Sequence, residues 1–414
     1  MMNLALSVLR FIRLLWMIPL RGVAYLWPRS SKKIVIGSWM GGLFGDNPKY
    51  LCLYLLEHTD YDITWIGNEV VRDFLPRHER LRFARKGGFK AFLSLMCARV
   101  WICCQAWNID LTQLPIKGFA TIIDTWHGIP VKQIGQNIPG RATVNKPNYF
   151  KLLANYLQYE QDEWLLVCSD KMAEILTTGV PTRYSMRRLL PYGTPRNDYL
   201  IKNATNSDLI AKLKEKYSQI LGFDADKKVV LYMPTWRSRG DCVYAFYNQK
   251  DTQQKEWRKM LDDNNAILIE KHHYGTYAKY PMTKPSECSI VITADQQKDV
   301  DVQELLLIAD VLISDYSGAY IDYALLRRPV IHFAYDYDEY ATQDSGFAYD
   351  FKKVAAGPMI YKFEDLKDCT ERLLENPTFE PASDFLELVA YENGDSCEKI
   401  TEFISKMSGG GYND

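Results

Sequence analysis

The chain is poor in features that would place it outside an ordinary soluble globular protein. No C-x-x-C pair occurs. The nine cysteines are odd in number and scattered from Cys52 to Cys397, which argues against a disulfide framework or a zinc site and fits a reducing compartment. Acidic residues are absent before Asp46. No uncharged run in the first 27 residues is long enough to span a bilayer, and no small-residue cleavage site follows, which argues against a signal peptide. The net charge of −1 argues against wholesale nucleic-acid binding. No short-period repeat is present. What remains is a chain of 414 residues, about twice the usual domain size, which predicts two domains with separate cores.

Residues 311–334 are the most informative stretch. Val311–Ser314 reads as a strand, Ser317–Arg327 as a helix and Pro329–Phe333 as a second buried strand. A strand breaking at Ser-Asp-Tyr-Ser-Gly into a helix suits a phosphate, because small residues let the backbone approach and the first helical amides have no partner of their own. Ser317 caps the helix or donates to a phosphate oxygen, and Gly318 offers its amide. Asp322, one turn on, is expected to reach a ribose or base. Asp315 reads as a brace for the loop. An ordinary well-capped turn of a parallel sheet would look the same.

Lys33–Ser38 reads as a strand, Trp39–Pro48 as a glycine-rich loop, Lys49–Glu57 as a helix and Ile63–Ile66 as a strand: the opening of a doubly wound α/β domain. Gly41, Gly42 and Asp46 lie where such sheets bind ligands, outside strand carboxyl ends, although the loop is not G-x-G-x-x-G. Residues 72–90 carry seven basic and two acidic side chains, either a solvated surface or a face for a polyanion or lipid headgroups. Val100–Cys104 and Thr121–Asp124 are further strands. The second runs into Thr125-Trp126-His127-Gly128-Ile129-Pro130-Val131-Lys132, which places His127 at a sheet's carboxyl edge like a general base, with Lys132 nearby, although a lone histidine is more often structural. Leu165–Ser169 and Lys171–Thr178 continue the alternation, and Leu189–Asp198 reads as turn chemistry, in which Arg196 either pins a turn or meets substrate. Polar helix Asn206–Leu221 precedes a second alternation: strand Val229–Pro234 with Thr235 and Arg237 at its edge, strand Ala266–Lys271 ending at His272-His273, and helix Gln303–Ile308. The predicted segments are 1–30 (membrane-associating), 31–200 and 201–375 (two Rossmann-like domains), and 376–414 (helices, with a disordered tail from Ser408). Arginines at 10, 13 and 21, with Arg29, Lys32 and Lys33, predict an amphipathic first helix at the membrane interface, or one packed on the protein.

In order, these motifs resemble the CDP-glycerol glycerophosphotransferase family, which includes the teichoic-acid primases and polymerases. Residues 32–48 look like its opening strand and "DNP" loop, and Lys86-Gly87-Gly88 like its basic Gly-rich segment. Thr125–Gly135 is similar to "TWHGTPLKKLG", Gly193–Asp198 to "GYPRND", Leu231–Arg237 to "LYAPTWR" and Asp310–Tyr323 to "DVLITDYSSVYFDY". Gly346–Pro358 resembles the closing loop. The resemblance spans roughly residues 30–365 and departs at Gly318, where the family has a second serine.

The resemblance implies two Rossmann-like domains facing a central cleft, the glycosyltransferase-B arrangement. It implies transfer of glycerol phosphate or ribitol phosphate from a CDP-alditol to an acceptor hydroxyl; with the basic, apolar amino terminus, the expected acceptor is a glycan or lipid-linked glycan at the cytoplasmic face of the membrane. His127 matches the motif histidine. Lys271-His272-His273-Tyr274 matches a basic-x-His-Tyr motif, with His273 the donor-phosphate histidine, His272 if the register slips by one, and Lys271 the basic companion. Arg237, Thr235, Ser317, Gly318 and Asp322 are assigned to the donor; Gly41, Gly42, Asp46, Lys132 and Arg196 to the acceptor. No cofactor is expected. D-x-D pairs at Asp224/Asp226, Asp299/Asp301 and Asp336/Asp338 do not predict an obligatory metal, since basic groups can neutralise the diphosphate. The alternatives are a glycosyltransferase using a CMP-sugar, and a non-catalytic membrane-bound nucleotide-binding protein.

Overall fold

The structure is a computed structural model describing residues 17–138, 163–181, 184, 186–235, 251–272, 289–293, 295–343 and 346–409. The chain forms two compact units. One comprises Met1–His127, Gly140–Arg196 and Tyr391–Asp414; the other comprises Gly128–Pro139 and Asn197–Ala390.

The first unit is built on seven strands: β1 (Ser30–Ile36), β2 (Asp62–Gly67), β3 (Leu81–Arg85), β4 (Ala98–Cys103), β5 (Thr121–Asp124), β6 (Glu163–Leu166) and β7 (Leu189–Leu190). Their order is β3-β2-β1-β4-β5-β6-β7 and every pairing is parallel. Parallel strands buried on both faces read as continuous apolar runs, and side chains alternate between two cores. Ile34, Ile36 and Ile102 enter one core; Val35, Trp101 and Cys103 enter the other. The helix Ser396–Gly409 belongs to this unit because Ile400 and Ile404 complete the first core beside Leu51 and Leu55 of the helix Asp46–His58. Each such side chain contributes about 2 kcal/mol on burial.

The second unit repeats the plan with β8 (Lys228–Met233), β9 (Ala266–Glu270), β10 (Ser289–Val291), β11 (Val311–Ser314), β12 (Val330–Phe333) and β13 (Met359–Ile360), in the order β10-β9-β8-β11-β12-β13, again all parallel. Val230, Tyr232, Ile313 and Phe333 pack on Trp257 and Leu261 of the helix Asp251–Asp263 and on Leu366 and Leu373 of the helix Phe363–Glu375. In each sheet the order reverses beside its first strand, between β1 and β4 and between β8 and β11. Open α/β sheets bind ligands beyond the carboxyl ends at such a reversal.

Several details differ from the sequence reading. The unit boundary falls at Arg196/Asn197, and 376–414 is divided: residues to Ala390 stay with the second unit and the rest return to the first. Pro195–Asp198 is the start of a helix, Pro195–Asn203, not a turn, with proline at the first helical position, where its missing N–H costs nothing. The helix after β11 is Ala319–Ala324, shorter than Ser317–Arg327, and Arg327 adopts φ 54°. The carboxyl-terminal helix runs through Ser408 to Gly409, where a disordered tail was expected; residues 410–414 lie outside the described set. The basic run 72–90 contains the edge strand β3, and some of its charges are structural. Arg80 donates to the carbonyls of Leu56 and Thr59 at the end of the helix Asp46–His58, and Arg72 lies 4.8 Å over the Phe83 ring.

Residues 17–26 are helical. Met17 and Ala24 are buried, whereas Ile18, Val23 and Leu26 are exposed. Arg29 is not a surface cation: its guanidinium turns inward and donates to the carbonyls of Leu95, Ala98 and Ile116, each at 2.7 Å. Burial lowers its pKa to about 10. Among the described residues no helix is long and apolar enough to cross a membrane.

Candidate active site

In the first unit the predicted loops converge on His127. β5 ends at Asp124, whose Oδ1 accepts the Trp126 amide at 2.9 Å and whose Oδ2 accepts the Tyr184 hydroxyl at 2.9 Å. That contact helps hold Trp126 at φ 53°, a left-handed conformation that a non-glycine residue keeps only when its surroundings over-determine it. Asn47 supplies more of that constraint. Its Nδ2 donates to the carbonyls of Thr125 (3.1 Å) and Trp126 (3.0 Å), and its Oδ1 accepts the Arg196 amide at 3.1 Å. Arg196 Nη1 donates to the His127 carbonyl at 3.0 Å and to Asp46 Oδ1 at 2.8 Å. Asp46 Oδ2 accepts the Trp39 indole at 2.9 Å. Asp46 and Arg196 were assigned to an acceptor. Here they form a buried ion pair that braces the histidine loop, since both ends of the pair also hold neighbouring groups.

The His127 ring stacks on Trp126 (4.4 Å between centroids, 30°) and meets the edge of Trp39 at 5.6 Å. Its Nδ1 lies 3.0 Å from the Cys104 carbonyl. A carbonyl only accepts, so Nδ1 carries the proton and, in the neutral ring, Nε2 keeps its lone pair for a substrate. Gly41 (φ 83°) is buried, and its carbonyl accepts the Asn68 amide at 2.6 Å; Gly42 is exposed and closes the turn onto Trp39. A Cβ at Gly41 would lie 3.0 Å from the Lys86 side chain.

In the second unit the ends of β8 and β11 are stitched together. Asp315 Oδ1 accepts the Thr235 amide (2.8 Å), the Thr235 hydroxyl (2.6 Å) and the Tyr316 amide (2.6 Å). Asp315 is thus a brace, as its sequence context indicates, and Thr235 directs its hydroxyl at Asp315, away from its assigned donor role. Ser317 Oγ accepts the Ala319 amide, the first of the helix, in a long bond of 3.4 Å, while Gly318 holds the N-cap position. A Cβ at Gly318 would sit 3.1 Å from the Ile129 carbonyl, so a second serine would press on that oxygen. Asp322 is buried and accepts Gln303 Nε2 at 3.1 Å, because one turn of helix points it inward rather than toward a ribose. Lys132 belongs to this unit, where its backbone bridges Phe347.

Beyond β9, Lys271 is half-buried, and burial lowers its pKa to about 8. His272 is fully buried, with Nε2 3.2 Å from Glu270 Oε2, so it cannot be a surface contact for a donor. His273 and Arg237 lie outside the described residues. One carboxylate of each D-x-D pair has a local role: Asp224 accepts the Asp226 amide, Asp301 caps the helix Val302–Ile308, and Asp336 accepts the Tyr316 hydroxyl. Cys103, Asp124 and Glu163 bring three potential metal ligands within 4.8 Å, but both Asp124 oxygens already accept hydrogen bonds.

Sequence reasoning passed over three contributors. Asn47 makes its contacts to backbone far along the chain, Asp110 binds backbone amides both nearby (Cys104, Gln105) and far off (Met40), and His332 is buried inside a strand. His332 Nδ1 donates to the Asp315 carbonyl (2.9 Å) while Nε2 accepts the Ala356 amide (3.0 Å). Burial lowers its pKa to about 4.

Two parallel sheets, each with an order reversal beside its first strand and the first with an oriented imidazole beyond its carboxyl edge, place the chain in the two-Rossmann-domain class. The chain belongs to the CDP-Glycerol:Poly(glycerophosphate) glycerophosphotransferase family, whose profile matches residues 22–406. It is 28% identical over 387 residues to the teichoic acid poly(glycerol phosphate) polymerase of Bacillus spizizenii, covering 91% of this chain and 93% of that one. It is 29% identical over 392 residues to the teichoic acid glycerol-phosphate transferase of Staphylococcus aureus, covering 91% and 94%. Among solved structures, the wall teichoic acid polymerase TagF superposes with a TM-score of 0.73 at 23% identity, covering 97% of this chain and 98% of that chain, which establishes the shared fold.

Proposed function

We propose that the protein transfers glycerol phosphate from CDP-glycerol to an acceptor hydroxyl and releases CMP, with CDP-ribitol as the related donor. The glycerol form is favoured because both full-length relatives named above act with glycerol phosphate. The acceptor oxygen attacks the phosphorus bearing the alditol, the P–O bond to CMP breaks, and His127 Nε2 takes the hydroxyl proton. The observation that carries this is the Nδ1 contact with the Cys104 carbonyl, which leaves Nε2 as the basic atom. Charge on the diphosphate and the leaving CMP is met by Lys271 and by the backbone at Ser317–Gly318; the family motif adds His273 and Arg237. Phosphoryl transfer is mainly a problem of positioning and charge, which such groups supply. His127→Ala should abolish single-turnover transfer and leave CDP-glycerol affinity by calorimetry within a few-fold. Lost affinity with persisting transfer would overturn the base assignment. Product mass from each CDP-alditol separates glycerol from ribitol.

The acceptor in this reading is a glycan or lipid-linked glycan at the cytoplasmic face of the membrane, in teichoic-acid or capsule-like polymer synthesis. Support comes from the exposed Ile18, Val23, Leu26 and Trp27 beside Arg21, with Phe119 exposed against the Tyr25 ring (4.9 Å). Apolar side chains at a basic edge favour anionic lipid surfaces. Flotation with anionic vesicles should retain the protein, and Leu26→Glu with Trp27→Glu should release it. No obligatory metal is part of the reading: activity should survive exhaustive chelation, and complete loss restored by Mg²⁺ would refute this.

A further inference from the structure

Asp110 is fully buried in the short helix Trp107–Asp110. Its Oδ1 accepts the Met40 amide at 2.8 Å, and its Oδ2 accepts the Cys104 and Gln105 amides at 2.9 Å each. All three partners are donors and both oxygens accept, the pattern of an ionised carboxylate. Burial raises the pKa of Asp110, and these three amides work against that.

The Gln105 N–H and the Cys104 C=O are the two ends of one peptide group. That carbonyl is the acceptor of His127 Nδ1. A carboxylate therefore sits at one end of a planar, conjugated unit and an imidazole at the other. A negative acceptor on the N–H draws more negative charge onto the carbonyl oxygen, since hydrogen bonds in a chain polarise one another. The oxygen then holds Nδ1–H more strongly and better stabilises the imidazolium once Nε2 has taken a proton. The same carboxylate anchors Met40, next to the Trp39 ring that flanks His127. The other charged groups around this assembly are already engaged. Lys86 Nζ donates to the Met40 and Ile109 carbonyls, Asp124 holds Trp126 and Tyr184, and Asp46 pairs with Arg196.

We propose that Asp110 is a positioning residue for His127, acting through the Cys104–Gln105 peptide as a carboxylate–peptide–imidazole unit in which no proton passes along the chain. The proposal rests on the reading of His127 as the base.

The test uses the full-length protein labelled with ¹⁵N-histidine, whose six histidines are few enough to assign, His127 by comparison with His127→Asn. Wild type should show the Nδ1–H tautomer at His127. In Asp110→Asn the side-chain NH₂ group must face amide donors or displace the acceptor. The Nε2–H tautomer should then appear, and the acid limb of the kcat/KM profile should move to lower pH. kcat should fall about ten- to a hundredfold with little change in donor KM, less than the roughly 10⁴-fold loss when a carboxylate touching the imidazole itself is neutralised. An unchanged tautomer and an unmoved acid limb would overturn the proposal even if stability drops. Should Asp110→Asn not fold, the wild-type spectrum decides: Nδ1–H supports the proposal and Nε2–H overturns it. Transfer persisting in His127→Ala would instead sink the base assignment, leaving the tautomer result to stand by itself.

Discussion

Asn47→Ala isolates what the "DNP" loop does. The Asn47 side chain is fully buried and makes three hydrogen bonds, to the carbonyls of Thr125 and Trp126 and from the amide of Arg196. Each is worth roughly 1 kcal/mol net, so the loss approaches 3 kcal/mol if the partners stay dry. Relaxing Trp126 out of its left-handed conformation returns on the order of 1 kcal/mol. The net expectation is about 2 kcal/mol of lost stability. Urea unfolding followed by tryptophan fluorescence reads this well, because Trp65, Trp101, Trp107 and Trp126 all lie in the first unit. Activity should suffer more. The relaxation moves the residue next to His127, and a displacement of about 1 Å at a reacting group can cost on the order of 10²-fold in rate. Asn47→Asp is a sharper probe: it keeps the acceptor for Arg196 but aims oxygen at two carbonyl oxygens, so it should damage kcat at least as much. A variant that unfolds like wild type would refute the hydrogen-bond account. One that is destabilised yet keeps kcat within twofold would show that Asn47 serves the fold and not the histidine.

His332 must stay neutral, so the unfolded chain, with a histidine pKa of 6.5, binds more protons than the folded one between about pH 6.5 and 4. Stability should therefore be lost as pH falls from about 6.5 to 4, by roughly 3 kcal/mol at most from this group; His332→Gln should flatten the slope in pH-dependent urea melts. Lys271 loses its proton as pH rises through about 8, so kcat/KM for the donor should decline above that pH, and Lys271→Met should remove this limb. Gly193 has φ 75°, and a Cβ there would lie 2.6 Å from the Tyr391 carbonyl; Gly193→Ala should cost about 2 kcal/mol or more in urea unfolding, and an unaltered midpoint would contradict the geometry.

How much of this was legible in the sequence depends on whether the relevant contact is local. Thr121–Asp124 and Val311–Ser314 were read to the residue, because a short apolar run bounded by small or polar residues admits little else. The edge strands β3, β7, β10 and β13 were not read. β3 hides in a basic run, and β7, β10 and β13 have two or three residues each, too few for an alternation to show. The Pro195 helix was hidden by Pro-Arg-Asn-Asp, which spells a turn unless proline stands at the first helical position.

The site follows the same rule. His127 was legible because its surroundings in sequence, a strand end, a tryptophan and a glycine, are also its surroundings in space. Asp46 and Arg196 were singled out, yet their partnership across 150 positions was invisible, so both were given to the substrate. Asp110 was missed altogether: it touches only backbone amides, which every residue type provides and no motif records. Loop residues of this kind share one physical task. Loops at a sheet's carboxyl edge lack ladder hydrogen bonds of their own, and a buried polar side chain that accepts or donates several bonds to them substitutes for the missing ladder. Asn47, Asp110 and Asp315 each do this beside an order reversal, Asn47 and Asp110 in the first sheet and Asp315 in the second. The polar residues most easily mistaken for ligand contacts in such a chain are therefore those that hold the ligand-facing backbone in shape, and isosteric replacement separates the two roles.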